Sequence, residues 1–139
     1  MIFRKNRILP LLALFCALAL FGCAAERAAA CREYKIYCGM TSERGEVSEA
    51  AWQRFCDRYV SAAFPDGYTV VDATGYWRSS AVAAKERSKV IVIVAPAAAC
   101  EKVRSVARRY REEFGQQAVL ISASDADMEL VRANDARGK

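Results

Sequence analysis

The run Ser88-Lys89-Val90-Ile91-Val92-Ile93-Val94-Ala95 is almost unbroken in β-branched and apolar residues. Successive side chains of a strand point to opposite faces, so this one presents apolar groups to both sides. It belongs at the centre of a sheet with something covering each face. Pro96 ends it, since proline has no N–H to give to a ladder. Any fold for the chain is built around this strand.

The flanking segments supply the other elements. A first strand is expected over Tyr34–Cys38, followed by a polar loop over Gly39–Gly45. Ser48 is an N-cap, and Val47 and Trp52 form a hydrophobic staple around it. Trp52, Phe55, Cys56, Tyr59, Val60 and Ala63 recur at three and four, the buried stripe of a helix. Pro65-Asp66-Gly67 is a turn: Pro fixes one φ, Asp bonds locally, and Gly accepts positive φ. A second strand is expected over Tyr68–Arg78, with Gly75 as a bulge or bend. After the central strand a second helix spans Ala98–Phe114, with Val103, Val106, Ala107, Tyr110 and Phe114 inward and Gly115 as its stop. QAVLISAS at 117–124 is the last strand, and the chain is polar from Asp125 and frays after Val131.

The order β-α-β-β-α-β predicts the α+β, ferredoxin-like arrangement, a four-stranded antiparallel sheet with two helices on one face. The other sheet face then has no helix over it. Its apolar residues call for another cover, most simply a homodimer through the open sheet face.

The N-terminus has a separate purpose. Arg4, Lys5 and Arg7 precede an uncharged apolar run from Ile8 to Phe21. That run is shorter than the roughly 20 residues a membrane-spanning helix needs. It has the layout of an export signal. Leu20-Phe21-Gly22-Cys23 resembles a bacterial lipobox, with Phe21 bulkier than usual at its position. The motif implies cleavage before Cys23 and lipid on its sulfur. Cleavage after Ala25 or later, or an uncleaved anchor, are the alternatives. The expected organisation is a lipoprotein signal peptide over 1–22, a lipidated tether over 23–33, the folded domain over 34–131 and a flexible tail over 132–139. Ala24, rather than Asp, after the lipid Cys resembles outer-membrane sorting, so the expected location is the outer membrane facing the periplasm.

Charge and composition remove several function classes. Three of the 21 basic residues lie in the signal, leaving 18 against 16 acidic ones. Nucleic acid is therefore no expected partner, since it needs a clustered basic footprint. The chain has no histidine, which excludes Ser-His-Asp and Cys-His catalysis and His-ligated metal. No metal and no cofactor is expected.

Four cysteines follow Cys23: Cys31, Cys38, Cys56 and Cys100, with no C-x-x-C among them. An even number in an exported chain suggests disulfides, with three pairings open. The expected topology brings Cys31 towards Cys100 at one sheet end. It lets Cys38 face Cys56 between sheet and helix, paired or as small core residues.

Strung together, EVSEAAWQRF, FPDGYTVVDATGYWR, KERSKVIVIV and YREEFGQQAVLISA resemble a bacterial family, the domain-of-unknown-function family 3574, over about Tyr34–Leu130. The matching motifs are Phe64–Gly67 with Thr69, Gly75 with Trp77, Glu86–Lys89, and Tyr110, Phe114 and Gln116. Cys38 departs from the pattern, which more often has an aromatic residue there. The resemblance implies no activity.

Trp77, Arg78, Glu86 and Arg87 flank one hairpin and are the candidate ligand-binding residues. Arg can bind a carboxylate and Trp can stack. The competing reading is structural: a Trp at the edge of the core and a Glu–Arg pair holding the hairpin. Asp66 and Asp72 with Glu86 could imitate a glycosidase carboxylate pair, but a turn explains Asp66 and a solvent-facing strand position explains Asp72. Arg104, Arg108, Arg109 and Arg111 are interrupted by Glu112 and Glu113 and form a solvated face. No catalytic residue is assigned. The leading expectation is a non-enzymatic envelope lipoprotein, an interaction or small-ligand-binding module with its protein or small-molecule partner unknown. The alternative is a cofactor-less enzyme of the dimeric α/β-barrel type, with a site near Trp77, Glu86 and Arg87.

Overall fold

The apolar run lies inside a longer strand than its sequence suggests. In the computed structural model, which describes residues 31–79 and 82–132, that strand is β5, Val82–Pro96. The elements in order are β1 (Cys31–Gly39), a small hairpin of β2 (Thr41–Ser42) and β3 (Gly45–Glu46), helix α1, β4 (Thr69–Ser79), β5, helix α2 (Cys100–Phe114) and β6 (Leu120–Ala126). Helix α1 runs in three consecutive pieces, α-helical Glu49–Phe55, π-helical Cys56–Val60 and a last turn Ser61–Ala63. The main sheet has the order β4-β5-β1-β6, antiparallel throughout. This is the expected ferredoxin-like α+β fold. The expected leader, Cys23 and the tail beyond 132 lie outside the described residues.

One sheet face carries the core. Tyr34, Ile36 and Cys38 of β1 alternate inward beside Ile91, Ile93 and Ala95 of β5, all buried. Against them pack Trp52, Phe55, Cys56 and Val60 of α1 and Val103, Val106, Ala107 and Tyr110 of α2. Aromatic rings form the seam between the helices: Phe55 meets Tyr110 edge-on at 5.2 Å and Phe114 at 5.7 Å between centroids. The Ser48 hydroxyl accepts from the Ala51 N–H, as a cap should. Gly115 ends α2 in the left-handed region, φ +67°.

Several boundaries are corrected. β1 begins at Cys31 rather than Tyr34; Cys31 pairs with Pro96 on one side and Ala126 on the other. The Gly39–Gly45 loop contains the β2–β3 hairpin. Helix α2 is preceded by a 3-10 turn, Ala97–Ala99. Gly75 is neither bulge nor bend: the β4–β5 register runs through it without interruption. Its glycine serves the open face instead.

Among the described residues, no helix covers that face. Val71, Val90, Tyr37 and Leu120 lie in register in one row across all four strands. Val71 and Leu120 are about half exposed, 47% and 49%.

Candidate functional site

The alternation of a strand divides Glu86-Arg87-Ser88-Lys89 between the two faces of the sheet. Arg87 and Lys89 lie on the helix side. The Arg87 guanidinium donates to Glu46 at 2.6 Å. Lys89 is buried and donates to Asp72 at 2.7 Å, with Glu49 at 3.2 Å and the Trp52 ring 5.8 Å away. The hydrogen bond to Asp72, reinforced by Glu49, holds Lys89 above the usual lysine range, and Lys89 holds Asp72 below the usual carboxylate range. Arg87 therefore does not join Trp77 and Glu86, because one residue along a strand reverses the face. Arg78 pairs with Ala83 near the tip of the hairpin. Of the four candidates, the structure brings Trp77 and Glu86 together.

These two share the open face with Ser88. The Glu86 carboxylate is half-buried and takes a hydrogen bond from the Trp77 indole N–H. Burial raises its pKa above the ordinary 4.5, and the Trp77 bond acts the other way. Two glycines make the room. A Cβ on Gly39 would lie 2.7 Å from Glu86 Oε1 and 3.0 Å from Oε2. A Cβ on Gly75 would lie 2.7 Å from Ser88 Oγ and 2.8 Å from Trp77 Nε1. At each glycine the shortest contact is closer than a carbon can sit, so any side chain there would push the polar groups apart. Ser88 is buried, and its Oγ has no hydrogen-bond partner.

Beside these groups opens a cleft of about 590 Å³. Trp77, Ala84 and Glu86 form one side, Thr41–Glu43 and Gly115–Ala118 the other. The second side is fastened by polar contacts. Arg44 donates to the carbonyls of Glu112 and Glu113 at the C-terminus of α2, where a cation also suits the helix dipole. The Gln116 side-chain amide donates to the carbonyls of Gly39 and Thr41, and that of Gln117 to Glu43. The Tyr110 hydroxyl holds the Gly39 carbonyl from below at 2.8 Å. Sequence reading missed Gly39 and Ser88. Counting two positions from Glu86 along β5 would have placed Ser88 on the same face; Gly39 comes from a different strand and carries no local signal.

The cysteines are held apart from the cleft. Cys38 and Cys56 are buried separate thiols. Burial pushes both up, Cys38 the further, with Cys56 nearby adding to it, and Cys56 to about 11. Thiols in that state are poor nucleophiles. Cys100 is a half-buried thiol at the start of α2, so the expected disulfides are not formed in this structure. Among the described residues, no group of three or more Cys, Asp or Glu side chains is arranged to hold a metal ion.

A family described as "Protein of unknown function (DUF3574)" matches residues 33–130. Among solved structures, a phage SAM lyase in complex with S-methyl-5'-thioadenosine is similar at 18% identity, covering 73% of this chain and 86% of that one, with a TM-score of 0.56. The phage SAM lyase in its apo state is similar at 15% identity, over 72% and 84% of the two chains, TM-score 0.53. CutA from Synechococcus elongatus is similar at 10% identity, over 71% and 79%, TM-score 0.49. At these identities the likeness to the lyase is one of fold alone. No curated protein matches the chain.

Proposed function

The chain belongs to DUF3574, a family of proteins of unknown function, and on that premise we propose that it is an exported lipoprotein whose domain binds a small polar ligand. One observation carries the binding reading: a half-buried carboxylate, Glu86, held by an indole N–H at the side of a 590 Å³ cleft. Clefts of this size with a few convergent polar groups are the usual form of a small-ligand site. The envelope location rests on the lipobox-like Leu20–Cys23 after a basic, apolar leader. Its membrane contact is the lipid on Cys23, in the outer membrane on the periplasmic side. In that oxidising compartment the proposed disulfides are Cys31–Cys100 and Cys38–Cys56.

The test is the intact mass of the chain recovered from its native membrane, before and after reduction. The expected species starts at Cys23, carries acyl chains, and gains about two hydrogens for each disulfide reduced. A species starting downstream without lipid would remove the anchor. A mass unchanged by reduction would remove the disulfides.

A second copy of the chain is the proposed cover of the open face. The row Val71–Val90–Tyr37–Leu120 crosses the whole sheet beside the cleft, and an apolar row of that extent is a common seat for association. Light scattering should give a dimer, and Leu120→Arg with Val71→Glu a folded monomer. A wild-type monomer at high concentration would end the dimer proposal.

The enzyme reading retains one supporting observation. A carboxyl raised by burial takes up a proton more readily than a free one. In this reading Glu86 is the general base or acid and Trp77 its positioning neighbour, with Arg87 no longer part of the site.

A further inference from the structure

The carboxylates around this end of the sheet are neutralised differently. Glu46 has Arg87, while Asp72 and Glu49 share Lys89. In the cleft, the groups that hold the two carboxylates are neutral donors: the Trp77 indole N–H for Glu86 and the Gln117 amide for Glu43. Lys85 reaches the cleft from the neighbouring position on β5 and is exposed. It pairs across the ladder with Tyr76 rather than Gly75 and so belongs to the opposite face.

Ser88 lies behind the Trp77–Glu86 pair and does not line the cleft. Its hydroxyl is buried without a partner, and such a group costs free energy until something bonds to it. It faces the space left by the missing Cβ of Gly75, the same space the Trp77 nitrogen borders. That space is too tight for a carbon atom, so the hydroxyl stays behind the cleft wall. A ligand group in the cleft meets an acceptor-only carboxylate and an aromatic ring. Ionised carboxylates accept strong, short hydrogen bonds from ammonium and guanidinium groups, and aromatic faces attract the same cations.

We propose that the cleft takes a small organic cation, with a primary ammonium or guanidinium group lodged between Glu86 and the Trp77 ring. The proposal rests on the small-ligand reading above and specifies its chemistry. Gly39 and Gly75 are the spacers that let Glu86 and Trp77 meet.

The experiment follows the indole N–H resonances of the chain by NMR. The sequence has two tryptophans, Trp52 and Trp77, and Trp77→Phe assigns them. The probes are butylammonium, butylguanidinium, butyrate and 1-butanol, which share an alkyl tail. The two cations are expected to shift the Trp77 signal saturably and leave Trp52 in place, while butyrate and 1-butanol do neither. Glu86→Gln should weaken the cations about tenfold or more. Glu86→Gln should also stay folded, because a raised carboxyl pKa means that its charged form opposes folding. That carboxyl favours the folded state below its ordinary 4.5, and the benefit is lost as pH rises through the higher folded value. Saturable binding of 1-butanol or butyrate as tight as that of the cations would overturn the cation proposal while leaving a ligand site. Cation binding unaffected by Glu86→Gln would overturn it too. No saturable response from any of the four probes would overturn both the cation proposal and the ligand site.

Discussion

Phe55→Ala is expected to destabilise the domain by about 3–5 kcal/mol, the range for emptying an aromatic site in a core. Phe55 is fully buried and touches four rings: Trp52, Tyr59, Tyr110 and Phe114. It is the point where α1, α2 and the sheet meet, so little around it can collapse to fill the space. Tyr110, one of those rings, also holds the Gly39 carbonyl beneath the cleft. The loss should appear as a lower denaturant midpoint with an unchanged slope. A loss under about 1 kcal/mol would mean that the helices do not pack on the sheet as described.

The second large effect concerns Lys89, and its sign depends on which partner is removed. The Lys89 side chain is 8% exposed, while Asp72 and Glu49 are 84% and 64% exposed. Removing the lysine frees two carboxylates that water can solvate. Removing the carboxylates leaves an ammonium group covered by protein with no counter-charge. Lys89→Met should therefore leave the Tm nearly unchanged, whereas Asp72→Asn with Glu49→Gln should lower it by several degrees. Equal effects would mean that the ammonium reaches water.

The pH dependence follows from the same pair. Asp72 lies below its ordinary 3.8, so its contribution is full above that value and is lost as pH falls through the depressed one. Lys89 lies above its ordinary 10.5, so its contribution is full below that value and is lost as pH rises through the raised one. The pair supports the fold across the whole neutral range, and the double variant should show a shallower acid limb in a plot of Tm against pH.

The fold was legible because each element had its own local cause. The strand around Val90–Val94 announced itself by two apolar faces, α1 by Ser48 and the Trp52–Val60 stripe, and the end of α2 by Gly115. The π turn at Cys56–Val60 was not legible, since it leaves the spacing of buried residues compatible with an ordinary helix. The length of β5 was not either. Its first residues, Val82–Lys85, are held by pairing with β4 rather than by an apolar pattern of their own. The site was half legible. Trp77 and Glu86 could be put together from the hairpin, but Arg87 was carried along by adjacency in the chain when strand geometry turns it to the other face. Gly39 could not be read, because what it accommodates comes from a strand nearly fifty residues away.

The reach of the β4–β5 hairpin past the end of β1 has one more consequence. The last β1 partner on β5 is Ser88, opposite Gly39. Beyond it, Trp77 and Glu86 ride on a two-stranded ribbon with no third strand at its side among the described residues. Amide protons of that ribbon can exchange by a local opening that leaves the central ladder intact, whereas those of Ile91 and Ile36 must wait for much larger openings. Trp77 and Glu86 thus sit where the hairpin can open without the core. Occupancy of the cleft would register first as slowed exchange in the ribbon, well before any change in the melting of the whole domain.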